Sequence, residues 1–396
     1  MKKVGIDAIA VAVPEGYLDL ADLGAARGVP ASKYTEGLGV NKMAIAKAHE
    51  DTVALAANAA RRALHKAGVS PSTIGLCIIG TETGVDHSKA ASAYLHRMLE
   101  LPQNCRTYET KHACYGGTAG VLTALDWIAS GSARGRNALV ICSDIARYAL
   151  HSAGEPTQGA GAVAMIIGEN PRLLEIDLGV SGSYSKDVDD FWRPLYSKEA
   201  FVDGHFSVQC YLDAIAGAHQ SYREVASSVG LDATPVRRVY HVPYGKMAKK
   251  AHRHLCTSAG MTDVEADASF ANEVSSSLRL PSEIGNIYTG SLYLALASLL
   301  HFEADQIEGQ RIGLFSYGSG CTAEYFSGRV VEGAAAFVQT LEIAQPLANR
   351  RRYTIAEYET IRRADNEIDN RPVESHNFPP FAFVGVEQDR RVYQPA

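Results

Sequence analysis

Short apolar runs alternate with amphipathic stretches along most of the chain. The continuously apolar runs are 74–79, 138–142 and 162–167. Runs without alternation are typical of strands covered on both faces of a sheet. A helix is predicted from an Asp51 cap to about Gly68, and another from a Ser88 cap to about Leu99. Strands alternating with helices in this way predict an α/β fold.

The pattern repeats once within the chain. Cys114 opens a glycine-rich segment and a predicted helix, followed by a strand that ends at Ser143. Asn286 opens a similar segment and helix, followed by a strand that ends at Ser316. The two separations, 114 to 143 and 286 to 316, differ by a single position. This echo predicts an architecture of two related halves.

Four polar residues occupy matching places in the two halves. Glu82 and His241 each follow a predicted strand, and Cys114 and Asn286 each precede a predicted helix. Active sites of open α/β sheets form at the carboxyl ends of strands. We therefore expect all four side chains on one side of the sheets.

The chain is predicted to divide into three parts. Residues 1–170 form the first half, with Glu82 and Cys114, and residues 171–330 form the second. Residues 331–396 contain arginine runs and a proline-rich stretch. They are predicted to form a helical extension packed on the core, with no chemistry visible in it.

Composition and charge narrow the possible functions. The 396 residues are 46% hydrophobic and 21% charged, as in ordinary globular proteins. The formal net charge of −6 argues against a nucleic-acid partner. No apolar run approaches the roughly 20 residues that span a bilayer. The first residues, MKKVGID, lack the apolar segment of a secretory signal.

The cysteines indicate a reducing compartment. There are seven, an odd number, scattered and without a CxxC pair, so a disulfide framework is not expected. A cytoplasmic location fits this pattern. Several cysteines, such as Cys77, lie in apolar strand-like runs and are interpreted as small buried hydrophobes.

Cys114 has a different setting, at the start of a helix and directly before Gly116 and Gly117. Free N–H groups at a helix N-terminus favour a thiolate. The same groups can bind a thioester oxyanion. The alternative is a buried structural cysteine beside closely packed glycines.

Glu82 and His241 are the candidate base and electrophile. Glu82 directly follows a buried strand, where burial raises a carboxyl pKa into the range of a general base. The alternative for Glu82 is a solvated loop residue, and for His241 a satisfied core histidine. A cysteine, a histidine and an acid at matching topological positions nevertheless form the set that acyl transfer requires.

Three lysines follow His241 at helical spacing: Lys246, Lys249 and Lys250. They could bind the phosphates of a ligand such as coenzyme A, or simply form a solvated helix face. The nearby run 252–256 contains two histidines and a cysteine, which are too few ligands to indicate a zinc site. Neither a dinucleotide-binding loop nor a Walker A sequence occurs.

Seven motifs in order resemble the signatures of hydroxymethylglutaryl-CoA synthases. They are GTET (80–83), ACYGGTAG (113–120), GEPTQGAGA (154–162), DFWRP (190–194), HVP (241–243), GNIYTGS (285–291) and FSYGSG (315–320). The chain is similar to the short bacterial mevalonate-pathway type. The resemblance implies a thiolase-like fold of five layers, αβαβα, and a homodimer without a metal or redox cofactor.

The resemblance also implies a reaction and a set of roles. Acetyl-CoA would acetylate Cys114 and condense with acetoacetyl-CoA and water to give 3-hydroxy-3-methylglutaryl-CoA and CoA. Glu82 would remove the methyl proton, and His241 would polarise the acetoacetyl group. Asn286 would bind that substrate, and the N–H groups of Cys114 and Ser319 would form the oxyanion hole.

Further positions follow from the same resemblance. Those expected near the acyl pocket are Tyr115, Asp144, Thr157 and Asp190; those expected at the CoA phosphates are Lys246, Lys249 and Lys250. Two positions depart from the pattern: Glu283 stands where a basic residue is expected, and His151 where an asparagine-like residue is expected.

Three alternatives stay open at this point. The nearest is a relative that uses an acyl group on an acyl carrier protein, as in polyketide β-branching. The stretch EPTQ (155–158) favours the primary-metabolism type instead. The others are a synthase of this scaffold that acts on a different acyl-CoA, and a non-catalytic dimeric scaffold that binds acyl-CoA.

Overall fold

A computed structural model describes residues 2–232, 234–365 and 379–394. The strands are β1 (Val4–Ala12), β2 (Gly16–Asp19), β3 (Lys42–Ile45), β4 (Ile74–Gly80), β5 (Arg106–Thr110), β6 (Asn137–Ala146), β7 (Gly159–Glu169), β8 (Leu174–Ser185), β9 (Phe191–Trp192), β10 (Phe201–Val202), β11 (Arg237–Tyr240), β12 (Arg311–Gly318), β13 (Thr322–Val330), β14 (Arg351–Arg352), β15 (Ala382–Glu387) and β16 (Arg390–Gln394).

The helices alternate with these strands over most of the chain. They are α1 (Leu20–Arg27), α2 (Ser32–Thr35), α3 (Thr52–Ala67), α4 (Ala91–Met98), α5 (Gly116–Ala129), α6 (Gly204–Ser228), α7 (Gly245–Ser258), α8 (Asp263–Glu273), α9 (Pro281–Ile284), α10 (Ser291–Ile307), α11 (Ala334–Leu341) and α12 (Ile355–Ala364).

Within the described residues, the main sheet has nine strands in the order β11-β12-β13-β8-β1-β7-β6-β4-β5. In the first half β4 and β6 are parallel, β6 and β7 antiparallel, and β7 and β1 antiparallel. In the second half β11, β12, β13 and β8 pair in the same sequence of directions. The two-half architecture predicted from the echo is therefore confirmed by the topology.

The halves stack with helices between and outside them. Helix α3 packs on one face of the first half and α5 on the other, while α6 covers the second half. Helix α10 packs on β11 and β12 of the second half and reaches β1 of the first. It meets α5 where the Tyr293 hydroxyl donates to Thr118 Oγ1 at 3.0 Å. The layers thus run helix, sheet strands of the first half, helix pair, sheet strands of the second half, helix.

Local sequence accounts for several element boundaries. Asp51 caps α3 by accepting from Ala54 N at 2.8 Å, and Gly68 ends the helix at a φ of 67°. The Ser88 cap is wrong, because α4 begins at Ala91. The Ser88 N–H instead donates to Asp86 Oδ1 at 2.8 Å, in the turn before the helix.

The extension after residue 330 is helical only in part. It contains α11 and α12, as predicted, but β15 and β16 form an antiparallel hairpin that the pattern does not indicate. The Tyr393 hydroxyl of this hairpin donates to Asp51 Oδ2 at 2.6 Å, which fixes it at the start of α3. Pro379 and Pro380 of the proline-rich stretch are described, whereas residues 366–378 before them lie outside the described residues. In the described chain, no helix has the length and apolar character needed to cross a membrane.

Candidate active site

Cys114 lies in the short connection between β5 and α5. The residue before it, Ala113, has a φ of 41°, a conformation that costs free energy for a residue with a side chain. The first turn of α5 packs so closely that a Cβ on Gly117 would lie 2.4 Å from Cys142 Sγ. A Cβ on Gly80, at the end of β4, would lie 2.5 Å from Gly117 Cα. The glycines therefore seat the nucleophile segment against the end of β4.

The Cys114 thiol donates a hydrogen bond to Glu82 Oε1 at 3.0 Å. This contact joins the candidate nucleophile to the candidate base. The helix-start argument predicts a favoured thiolate, and that prediction is wrong. Burial raises the pKa of the Cys114 thiol well above its ordinary value, and the Glu82 carboxylate raises it further. The resting pair holds its proton on sulfur.

Glu82 has the environment expected of a general base. Its side chain is only 6% exposed. Burial, with a further contribution from the charge of Asp144, raises its pKa to about 7, against the lowering effects of Arg193 and Cys114. Arg193 Nη2 donates to the backbone carbonyl of Glu82 and lies 3.5 Å from Glu82 Oε2. A pKa near 7 suits a base that works at neutral pH.

Asp144 lies near the end of β6, behind Glu82, and is fully buried. Its Oδ1 accepts from the N–H groups of Glu82 and Thr83, at 2.9 and 3.0 Å, and from the Thr81 and Thr83 hydroxyls. Its Oδ2 accepts from the N–H group of Thr289, at 3.0 Å, and from its hydroxyl. Both oxygens are thus bound by protein groups, and Asp144 fastens the Glu82 turn to the second half.

His241 follows β11 and is 2% exposed. Burial lowers its pKa to about 3, so its imidazole is neutral at physiological pH. Its backbone is fixed from both sides, since its N–H donates to Phe315 O at 2.8 Å and the Tyr211 hydroxyl donates to its carbonyl at 2.6 Å. Among the described residues, none forms a hydrogen bond with its ring nitrogens.

Ser319 lies in the turn after β12, directly beside the nucleophile segment. A Cβ on Gly318 would lie 2.5 Å from His112 O and 2.6 Å from Tyr115 N, so the turn touches the backbone around Cys114. Asp190 holds the turn from below. It is fully buried and accepts from Gly320 N at 2.9 Å and from the Tyr317 hydroxyl at 2.7 Å.

Asn286 and Thr157 occupy adjoining segments. Asn286 is 3% exposed, and its Oδ1 accepts from Tyr288 N and Ser291 Oγ, each at 2.9 Å. The assignment leaves its amide NH2 as a donor. The Asn286 N–H donates to the carbonyl of Gln158 at 3.3 Å, next to Thr157. Thr157 Oγ1 is used within its own turn, donating to Gly154 O at 2.8 Å.

Several tyrosines line the candidate active site. Tyr115 donates to Glu324 Oε2 at 2.7 Å. Tyr148 and Tyr288 are buried, and the charges of Glu82 and Cys114 contribute, after burial itself, to raising the pKa of each. Sequence reasoning did not select Tyr148, Tyr288 or Arg193 individually. Arg193 lies within the DFWRP motif. The two tyrosines could have been found as large aromatic residues that lie just after a buried strand or just before a buried helix.

Comparison with known proteins identifies the family. The family model for the N-terminal part of hydroxymethylglutaryl-coenzyme A synthase matches residues 1–172, and the model for the C-terminal part matches 174–267 and 257–377. The chain belongs to this family. Its fold is the thiolase-like αβαβα arrangement shared by the solved hydroxymethylglutaryl-CoA synthases that it resembles.

Individual synthases resemble the chain over nearly its whole length. A hydroxymethylglutaryl-CoA synthase of Enterococcus faecalis is 39% identical, over 92% of this chain and 94% of that protein. The polyketide biosynthesis 3-hydroxy-3-methylglutaryl-ACP synthase PksG of Bacillus subtilis is 34% identical, over 91% and 88%. The structure of MvaS in complex with 3-hydroxy-3-methylglutaryl coenzyme A is 47% identical, with a TM-score of 0.94, over 100% and 99%.

The lysines of this synthase do not form one cluster. All three lie on α7, but Lys249 forms an ion pair with Asp267 of α8 at 3.2 Å. Lys246 is exposed and Lys250 half-buried. Lys246 and Lys250 are four residues apart and share a face. Lys249 is therefore already paired, and the role of all three lysines at the CoA phosphates stays a prediction.

The two departures from the family pattern have local explanations in this synthase. Glu283 forms an ion pair with Lys42 at 2.6 Å, and the Arg350 guanidinium donates to the Glu283 carbonyl. His151 has a φ of 65°, a left-handed conformation in which asparagine is common. The candidate metal ligand His252 is hydrogen-bonded to Tyr240. In residues 2–232, 234–365 and 379–394, no three His, Cys, Asp or Glu side chains are arranged to hold a metal ion.

Proposed function

We propose that the protein condenses acetyl-CoA with acetoacetyl-CoA and water to give 3-hydroxy-3-methylglutaryl-CoA and free CoA, through an acetyl-Cys114 intermediate. The observation that carries the proposal is the 3.0 Å contact of the Cys114 thiol with Glu82, a buried carboxyl of raised pKa. Membership of the synthase family supports the choice of substrates.

In the first step the Cys114 sulfur attacks the thioester carbonyl of acetyl-CoA. Glu82 accepts the thiol proton as the C–S bond forms, because the raised thiol pKa keeps free thiolate scarce. The N–H groups of Cys114 and Ser319 stabilise the oxyanion. Coenzyme A then leaves as the thiol, with the proton, and Glu82 is again a carboxylate.

In the second step Glu82 removes a proton from the methyl group of acetyl-Cys114. The resulting enolate attacks the C3 carbonyl of acetoacetyl-CoA, which forms the new C–C bond and places charge on the C3 oxygen. His241, neutral in its buried setting, donates a hydrogen bond to that oxygen. The oxygen takes up the proton that Glu82 removed from the methyl group, which leaves Glu82 a carboxylate again. Water, assisted by Glu82, finally cleaves the Cys114 thioester.

The remaining site residues bind or position. Asn286 offers its amide NH2 to acetoacetyl-CoA, while Tyr115 and Thr157 line the acyl pocket. Asp144 and Asp190 act from behind the site, because the protein occupies both carboxylate oxygens of each. Lys246 and Lys250 bind the CoA phosphates.

The wider setting belongs to the same proposal. The steps are acyl and proton transfers, which need no metal or redox cofactor. We propose a cytoplasmic homodimer that supplies the mevalonate pathway to isoprenoids. A carrier-bound acceptor is the second candidate, because PksG-type synthases are also relatives. The higher identity to the Enterococcus faecalis synthase and to MvaS than to PksG favours free acetoacetyl-CoA.

Labelling with radioactive acetyl-CoA tests the proposal. We expect label on Cys114, its release on addition of acetoacetyl-CoA, and one equivalent of 3-hydroxy-3-methylglutaryl-CoA. Cys114→Ser, with Cys142→Ser as the matched buried control, is expected to lose the label while the control keeps it. Label that survives in Cys114→Ser contradicts the nucleophile. More efficient use of a carrier-bound acceptor than of free acetoacetyl-CoA would replace this substrate assignment.

A further inference from the structure

The extension after residue 330, in which the sequence shows no chemistry, sends a buried arginine to the floor of the active site. Arg362 on α12 is 5% exposed, whereas its neighbour Arg363 is 65% exposed at its side chain and pairs with Glu359 on the surface. A buried guanidinium is costly unless its N–H groups are bound. Besides its ion pair with Asp365, the hydrogen bonds of this guanidinium lead to Tyr148 and Gln158.

Arg362 and Gln158 together hold the backbone of Tyr148. Arg362 Nη2 donates to the Tyr148 carbonyl at 3.1 Å, and Arg362 Nε donates to Gln158 Oε1 at 3.1 Å. The same Gln158 oxygen accepts from the Tyr148 N–H at 3.1 Å. The N–H and C=O groups of Tyr148 are thus both bound by a closed network of three residues.

Gln158 is fixed in turn by α12. It is 2% exposed, and its Nε2 donates to the Tyr358 hydroxyl at 2.8 Å and to the Glu155 carbonyl at 3.0 Å. Both amide hydrogens and both lone pairs are therefore used, which sets its orientation. Its own carbonyl accepts from Asn286 N, so the network reaches the acetoacetyl-binding segment as well.

Charge balance makes the network specific to arginine. Arg362 Nη1 donates to Asp365 Oδ2 at 2.6 Å, and Arg147 donates to the same oxygen at 3.0 Å. The guanidinium thus binds a carboxylate on one side and Tyr148 and Gln158 on the other. A lysine has one nitrogen and cannot reach all three.

We propose that Arg362 is a positioning residue for the condensation, acting through Gln158 on Tyr148 and Asn286. This inference rests on the proposed function. Tyr148 lies beside Glu82 and Cys114, so a shift of its backbone moves a wall of the acyl pocket. A substitution far from the reacting atoms that displaces a site group by about 1 Å can lower the rate roughly 100-fold.

The test compares Arg362→Ala and Arg362→Lys with Arg363→Ala as matched control. We expect Arg362→Ala to lower kcat roughly 10- to 100-fold, Arg362→Lys to recover little of it, and Arg363→Ala to stay within about twofold. Added guanidinium ion is expected to restore part of the rate in Arg362→Ala only. Circular dichroism and thermal melting establish that the variants are folded at the assay temperature.

A double-mutant cycle with Tyr148→Phe separates positioning from mere stability. If Arg362 acts through Tyr148, the fold-loss in rate of the double variant is smaller than the product of the fold-losses of the two single variants. Full multiplicativity, or parent kcat in folded Arg362→Ala, overturns the inference. If Arg362→Ala does not fold, Tyr358→Phe decides. It removes one hydroxyl from the network and is expected to lower kcat about three- to tenfold with the same coupling.

The parent chain separates this inference from the proposed function. A parent that forms no 3-hydroxy-3-methylglutaryl-CoA contradicts the proposed function itself. A parent that condenses while the folded Arg362 and Tyr358 variants match it contradicts only the role of Arg362.

Discussion

The Cys114 thiol and the Glu82 carboxylate share one proton across a 3.0 Å hydrogen bond. Burial raises the pKa of both groups; the Glu82 carboxylate raises the pKa of the Cys114 thiol further, whereas the hydrogen bond from the thiol lowers the pKa of Glu82. In the proposed mechanism the proton therefore moves between sulfur and oxygen as the acetyl group arrives and leaves. The first two predictions below depend on this relationship.

The condensation rate is expected to follow the ionisation of Glu82. With a pKa of about 7, the fraction of carboxylate falls about tenfold for each pH unit below that value. We therefore expect the rate from preformed acetyl-enzyme to rise up to about pH 7 and then to level off. A rate that stays constant from pH 5 to 8 contradicts Glu82 as the base.

Stability should depend on the same carboxyl with a defined sign. The folded pKa of Glu82 lies above its ordinary value of 4.5, so the folded state binds more protons between about pH 4.5 and 7. The stabilisation is present below that window and is lost as pH rises through it. We expect Glu82→Gln to unfold with a free energy about 3 kcal/mol above the parent at pH 8, at roughly 1.4 kcal/mol per pKa unit, and to match the parent at pH 4. Urea unfolding at both pH values measures this.

Glu82→Ala is expected to separate the two half-reactions. Condensation should fall about 10²- to 10⁴-fold, since the methyl group loses its base. Acetylation of Cys114 should also fall, because Glu82 accepts the thiol proton, but by less, because removing the carboxylate charge lowers the pKa of the thiol. Single-turnover labelling and product formation measure the two steps separately. A variant that cannot be acetylated at all would make Glu82 primarily the activator of the thiol.

Asp144→Asn tests the buried fastening between the halves. The amide would point donors at the N–H and hydroxyl of Thr289, and we expect a loss of about 3 kcal/mol in unfolding free energy. The acid limb of the rate profile should also move to lower pH, because the Asp144 charge helps to raise the pKa of Glu82. Exposed Asp126→Asn is the control and should change neither. An unmoved acid limb in folded Asp144→Asn argues against electrostatic coupling.

The lysines of α7 should now differ from one another. Lys246→Ala and Lys250→Ala are expected to raise KM for CoA substrates, more at low salt than at high salt, with kcat mostly unchanged. Lys249→Ala should have little effect, since Asp267 already pairs with that ammonium group. Initial rates at two salt concentrations measure the difference. KM values that are unchanged from the parent in all three variants would make the whole set a solvated helix face.

Position along the chain was enough to propose Glu82, Cys114 and His241 as a catalytic set, whereas rules based on local sequence failed where distant segments meet. Glu82, Cys114 and His241 could be selected because strand ends and helix starts converge at one edge. The raised pKa of the Cys114 thiol could not be predicted in this way, since burial and the Glu82 charge outweigh the effect of the helix start. The pairing of Lys249 with Asp267 depends on how α8 packs, which no spacing within α7 reveals.

The residues that hold the site in place could not be predicted from the sequence, for a related reason. Asp144 is bound by threonines from positions 81–83 and 289, and Arg362 reaches back to Tyr148 and Gln158 across more than half the chain. Such contacts leave no periodic or local signal. The β15–β16 hairpin was missed because its residues read as the end of an irregular proline-rich tail.

The bond from Thr289 to Asp144 has a consequence for the growing polypeptide. A ribosome that has delivered only the first half has already made Glu82 and Cys114, yet Thr289 is still to be synthesised. Until it docks, one oxygen of the carboxylate behind the Glu82 turn lacks both of its protein donors. The turn that carries Glu82 therefore gains its full set of contacts only after translation has passed residue 289.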